Sequence, residues 1–129
     1  MIVVDASVIV TGLGDDGDDG DRVRGRLRNE RLVAPHVIDL EVVSAWRRLV
    51  SAGHLDERRA SLALADLDSL RLERVPHGPL VERCWELRGN LTVYDAAYVA
   101  VAELMEVDLL TADARLAAAP GIRCGVEVL

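Results

Sequence analysis

Apolar residues recur along this chain in two periods, and the period changes several times. Ile2-Val3-Val4 is an unbroken β-branched run, the pattern of a short strand buried on both faces. Val8–Leu13 stays apolar and ends at Gly12-Leu13-Gly14. Polar residues take over at Asp15, and a helix is predicted from about Asp19 to Arg28. Leu32-Val33-Ala34 is a short apolar piece stopped by Pro35. From Val37 to Ala52 the period is helical: Ile38, Val42, Ala45, Trp46 and Leu49 share a face, and Gly53 is a good stop. A second helix is predicted over His54–Leu70, with Leu62, Leu64, Leu67 and Leu70 as its apolar positions and Asp56 placed to cap it.

Arg71–Val75 reads as a short strand or sheet edge closed by Pro76-His77-Gly78-Pro79. Leu80–Leu87 is helical, with Val81, Cys84 and Leu87 inward. Thr92–Met105 is the clearest helix, and Thr92-Val-Tyr-Asp95 fits the capping box. Val107–Leu110 is another short buried strand. Thr111-Ala-Asp113 follows, then a small helix Ala114–Ala119 stopped by Pro120-Gly121, and Val126–Leu129 closes the sheet. Strands followed by helices define an α/β chain: a three-layer α/β/α domain with a mainly parallel central sheet. At 129 residues, a single domain over 1–129 is expected.

Composition narrows the chemistry. With no Phe, two Trp and two Tyr, the core must be aliphatic. The net charge of −7 argues against a sheath of positive charge for nonspecific nucleic-acid binding. All fifteen basic residues are Arg, which excludes a P-loop, a Schiff base or any other lysine chemistry while leaving phosphate contacts open. Cys84 and Cys124 form no C-x-x-C and read as ordinary core and loop or strand residues. No apolar signal or spanning segment is present, so a cytoplasmic protein without membrane contact is expected. Asp15–Asp21 holds five Asp but fails the EF-hand pattern, because Gly20 at position 6 puts Gly17 at position 3 and Arg26 at position 12. It reads as a solvated acidic loop leading into a helix. Arg22, Arg26 and Arg24, Arg28 repeat at i,i+4 as a solvated face or a phosphate contact. His36, His54 and His77 are assigned ordinary polar roles.

Four acids stand where a charge is costly unless used. Asp5 directly follows the first strand, and Asp113 stands three residues past Leu110, so both point to the same rim of the sheet. Asp95 opens a helix whose next turn is Ala and Val. Glu41 has three apolar neighbours among its four at helical spacing and needs a partner, for which Arg48 is a candidate. Each has a plainer reading: Asp5 and Asp113 as helix caps, Asp95 as the capping-box acid, Glu41 as half of an ion pair. Together they would repel unless a divalent cation joined them, and hard oxygen ligands favour Mg²⁺ or Mn²⁺. Ser7 and Thr111, each two residues from an acid, are placed to orient a carboxylate or a water, or serve as turn hydroxyls.

Val3-Val-Asp-Ala-Ser7, Glu41 in its helix, Leu91-Thr-Val-Tyr-Asp-Ala-Ala-Tyr-Val-Ala-Val-Ala-Glu103 and Leu109-Leu-Thr-Ala-Asp-Ala-Arg-Leu116 resemble the PIN-domain family, and most of all its VapC toxins. The resemblance implies a PIN-like fold and a Mg²⁺- or Mn²⁺-dependent endoribonuclease using one or two ions. It makes Asp5, Glu41, Asp95 and Asp113 the catalytic and metal-binding cluster, with Ser7 and Thr111 in support. It implies a homodimer, neutralisation by a VapB-type antitoxin, and operator DNA contact only through that antitoxin. Arg22, Arg26, Arg47 and Arg115 are the candidate RNA contacts. The expected substrate is a structured RNA with an accessible loop, as in tRNA or rRNA, cut by in-line water attack that leaves a 3′-hydroxyl. Two rival readings meet the residues less well. A phosphatase using Asp5 as nucleophile lacks the second Asp, where Ser7 stands, and lacks a Lys. A non-catalytic PIN-like binding module would use the acids only to cap and pair.

Overall fold

The structure, a computed structural model, describes residues 1–129. Five strands form one sheet: β1 (Ile2–Val4), β2 (Leu32–Pro35), β3 (Leu72–Val75), β4 (Leu109–Thr111) and β5 (Val126–Val128). Their order is β3-β2-β1-β4-β5, and every neighbouring pair is parallel. The seven helices are α1 (Ala6–Gly14), α2 (Asp18–Leu27), α3 (Ile38–Ser51), α4 (Glu57–Ser69), α5 (Val81–Glu86), α6 (Val93–Met105) and α7 (Ala114–Ala118), with a single 3₁₀ turn at Gly78–Leu80. Helices α1 to α4 pack with one another, while α5 packs on α6 and α6 covers β1, β2 and β4. This is the expected α/β/α layering.

The strand order reverses between β1 and β4. From β1 the chain adds β2 and β3 on one side, then crosses back to place β4 on the other. In such sheets the crevice beyond the strands' carboxyl ends opens at that reversal. β1 and β4 are the buried centre, with all six of their residues covered.

Helix α6 explains why that centre is rigid. Seven successive residues, Ala96 through Ala102, are buried, so the middle of the helix is covered on all sides. Four of the seven are Ala, which lets backbones approach closely. Thr92 caps the helix, its Oγ1 accepting the Asp95 N–H at 3.1 Å. Trp46, fully buried on α3, donates its indole N–H to the Val10 carbonyl of α1.

Several expectations need correction. The apolar run Val8–Leu13 belongs to a helix, α1, that begins directly after Asp5. α4 starts at Glu57 rather than His54, because Gly53 takes a positive φ of 77° and Asp56 caps by accepting the Arg58 N–H. It buries Ala63 and Leu67, while Leu62 and Leu64 flank that stripe and are exposed. Val81, expected inward, is 60% exposed; Cys84 and Leu87 are buried as expected.

The Asp-rich loop is a structural joint. Asp15 accepts the N–H groups of Gly17 and Gly20 at 3.2 and 2.9 Å. Arg59 of α4 grips Asp16 through two hydrogen bonds and also reaches the Leu13 carbonyl. Arg24 bonds the carbonyls of Gly12 and Asp15. A Cβ at Gly20 would collide with the Asp15 carbonyl, so only glycine allows this close turn.

Candidate active site

The N–H of Asp5 donates to the Leu110 carbonyl at 2.9 Å, which continues the β1–β4 pairing one residue beyond the strand. Its side chain is nearly buried, at 7% exposure. Asp5 stands at the N-cap of α1, yet its carboxylate makes no capping bond. Instead Oδ2 accepts two hydroxyls, Ser7 Oγ at 2.7 Å and Thr111 Oγ1 at 2.8 Å. Those hydroxyls are held in turn. Ser7 Oγ accepts the Ala112 N–H at 3.1 Å, and Thr111 Oγ1 accepts the Asp113 N–H at 3.0 Å. The ends of β1 and β4 are thus laced together around one carboxylate, and neither hydroxyl occupies Oδ1.

Asp113 caps α7 by accepting the Arg115 N–H at 3.0 Å. The Arg115 guanidinium lies on the same carboxylate, Nε to Oδ1 and Nη2 to Oδ2 at 3.2 Å each, and holds its carboxyl below the usual range. Asp95 lies in the first turn of α6. Burial pushes its carboxyl up, the charge of Asp5 pushes it further, and the Thr92 hydroxyl works against both. Glu41, on α3, is also pushed up, first by burial and then by the charges of Asp5 and Asp95. Its partner is Tyr98, whose hydroxyl donates to Oε1 at 2.8 Å and lowers it again. The anticipated Arg48 pairing does not occur: Arg48 Nη1 donates to Ser44 Oγ, one turn back on its own helix.

Asp5, Glu41, Asp95 and Asp113 all line one cleft of about 450 Å³, with Ser7 and Arg48 on its walls. Four elements contribute: the end of β1, α3, the start of α6 and the end of β4. The cleft lies at the reversal between β1 and β4, the position that sheet topology favours for a ligand. Burial raises the carboxyls of Glu41 and Asp95, and the charge of Asp5 adds repulsion to it. A cation would relieve it. No three acids, His or Cys stand close enough to cage an ion by themselves. The donor set nevertheless fits Mg²⁺ or Mn²⁺, because it is all oxygen and because Mg²⁺ keeps several waters instead of filling its shell from the protein.

The arginines separate clearly. Arg115 reaches the cleft through Asp113. Arg26 is committed elsewhere, bonded to Glu127 and Glu30 across the β5 edge. Arg22 pairs with Asp19 on the surface, and Arg47 is exposed without lining the cleft. Arg48 is the basic residue that lines the cleft and was not anticipated as an RNA contact. Its spacing of seven from Glu41, two helical turns on the same face, is the signal that points to it. His77 is used structurally, accepting the Val37 N–H at 3.0 Å. Cys84 and Cys124 are free thiols.

A five-stranded parallel sheet with an acidic cleft at its reversal point defines a class of metal-compatible α/β domains. Residues 2–122 match the PIN domain, and the chain belongs to the PIN-domain family. It is 44% identical over 128 residues to Ribonuclease VapC1 of Mycobacterium tuberculosis, covering 98% of this chain and 96% of that protein. Among solved structures it is similar to PAE2754 from Pyrobaculum aerophilum, with a TM-score of 0.68 and 27% identity over 91% of this chain and 82% of that one. The fold is shared with VapBC2 from Rickettsia felis, solved bound to a DNA fragment from its promoter, at a TM-score of 0.68, 14% identity and coverage of 99% and 98%.

Proposed function

We propose that this chain is the ribonuclease toxin of a VapBC-type toxin–antitoxin pair. In this reading it hydrolyses phosphodiester bonds of structured RNA with the help of Mg²⁺ or Mn²⁺. The observation that carries the proposal is the convergence of Asp5, Glu41, Asp95 and Asp113 on one cleft at the reversal of the sheet. The full-length similarity to Ribonuclease VapC1 supports the RNA-cleaving class. The four carboxylates are the residues that would hold the ion. When bound, it supplies an acidified water and neutralises charge at a phosphoryl oxygen.

The chain's own residues supply the positioning. Ser7 and Thr111 hold Oδ2 of Asp5 and leave Oδ1 for a ligand. The capped first turn of α6 fixes Asp95. Arg115 and Arg48 flank the carboxylates and can meet the phosphates on either side of the cut bond, which an acidic protein without lysine otherwise lacks means to hold. The proposed partners are an RNA loop, a VapB-type antitoxin that alone contacts operator DNA, and a second copy of the chain in a homodimer. An apolar groove lined by Val81, Trp85, Val93 and Tyr94, all exposed, favours protein partners. The proposed setting is the cytoplasm; no helix is long and apolar enough to cross a membrane.

The test is cleavage of a pool of structured RNAs by purified protein with Mg²⁺ or Mn²⁺. EDTA and an Asp5→Asn variant serve as controls. Cleavage with the ion, and loss of cleavage in both controls, is expected. Cleavage that survives EDTA or Asp5→Asn would contradict the proposal, and a folded protein that cuts no RNA would leave a binding module in its place.

A further inference from the structure

The four carboxylates of the cleft are held in different ways. Asp5 takes two hydroxyls on one oxygen, Asp113 takes a helix N–H and a guanidinium, and Asp95 belongs to a capped first turn. Glu41 has none of these. Its longer side chain leaves the first turn of α3, which no side chain caps, half-buried, and its one hydrogen bond comes from the Tyr98 hydroxyl to Oε1. Tyr98 is itself fully buried, so its ring has no freedom to wander. It lies on α6 three residues after Asp95, in the stretch of that helix that is covered on all sides.

We propose that Tyr98 is a positioning residue for the divalent cation: by occupying Oε1 of Glu41 it presents Oε2 to the ion, and it ties Glu41 to the helix that carries Asp95. The inference rests on the cleft being a Mg²⁺ or Mn²⁺ site. Two of the four carboxylates then take their relative placement from a single rigid helix, one directly and one through a hydroxyl. The rotameric freedom of Glu41 is lost during folding and not on binding. A carboxylate steadied in this way is the usual arrangement around metal ligands, and loss of such a support typically weakens metal binding about 10–100-fold.

The experiment is Mn²⁺ titration calorimetry on the full chain and on Tyr98→Phe, Glu41→Gln and the double variant. Phe keeps the ring and its packing, and circular dichroism in EDTA checks the fold of each. Tyr98→Phe should bind Mn²⁺ about 10–100-fold more weakly with its fold retained. The double variant should be no weaker than Glu41→Gln alone, because the hydroxyl acts only through that carboxylate. In RNA cleavage the Tyr98→Phe loss should fall on kcat more than on KM. Unchanged Mn²⁺ affinity in Tyr98→Phe would overturn the inference, and so would losses that simply multiply in the double variant. Failure of the wild-type chain to bind Mn²⁺ would overturn the metal reading itself, and this inference with it.

Discussion

Asp5 illustrates how a residue with an ordinary explanation loses it in three dimensions. It stands at an N-cap, yet its carboxylate caps nothing and is spent on two hydroxyls, one on the cleft wall at Ser7 and one buried at Thr111. Asp95 and Glu41 carry the cost of the arrangement, since burial pushes both carboxyls up. An acid whose folded pKa lies above its unfolded value contributes stability that is complete below the unfolded pKa, about 4. That contribution is lost as pH rises through the folded value. Asp95→Asn, which cannot ionise, should therefore be more stable than wild type at pH 7 without divalent ions, and the gap should close as pH falls toward about 4. Urea unfolding across that range measures it; a gap that widens on acidification would contradict the assigned sign. Asp5, Asp95 and Asp113 were legible in the sequence because each lies directly beside a strand end or helix start. The Tyr98 bond to Glu41 was not, because it joins residues 57 apart on two different helices.

At the scale of elements, hydrophobic period placed the strands and the helices from α2 onward near their observed positions but did not mark α1 as a helix, and errors arose where apolar residues outnumber buried positions. Around α4, Leu62, Leu64, Leu67 and Leu70 suggested the inner face, but the buried stripe runs through Ala63 and Leu67, with Leu62 and Leu64 on either side. A small residue marks close packing there better than a large one. Val81 misled in the same way at the start of α5. The acidic loop before α2 was legible as a non-EF-hand turn, but not as a joint, since its arginine partners lie as far away as Arg59. Gly20 is the residue on which this joint depends. Gly20→Ala should cost about 1–3 kcal/mol through forced displacement of α2. It should appear as a lower urea midpoint with cleavage per folded molecule unchanged. A midpoint equal to wild type would show that the turn opens without strain.

Across the whole molecule, the sheet order turns separate sequence segments into one site. Its reversal between β1 and β4 sets Asp5 beside Thr111 and Asp113, and α6, crossing over β1, β2 and β4, delivers Asp95 to the same cleft. A net charge of −7 gives RNA little general attraction, so in the proposed function binding would concentrate where cations gather: the metal-compatible carboxylates, Arg48 and Arg115. The proposed function stands on these carboxylates holding a divalent ion. Anomalous diffraction from crystals grown with Mn²⁺ tests it most directly. A peak is expected in the cleft within about 2.0–2.2 Å of a carboxylate oxygen of Asp5, with Asp95, Asp113 or Glu41 bound directly or through water. A cleft without a peak at saturating Mn²⁺, or a peak confined to the Asp15–Asp21 loop, would contradict it.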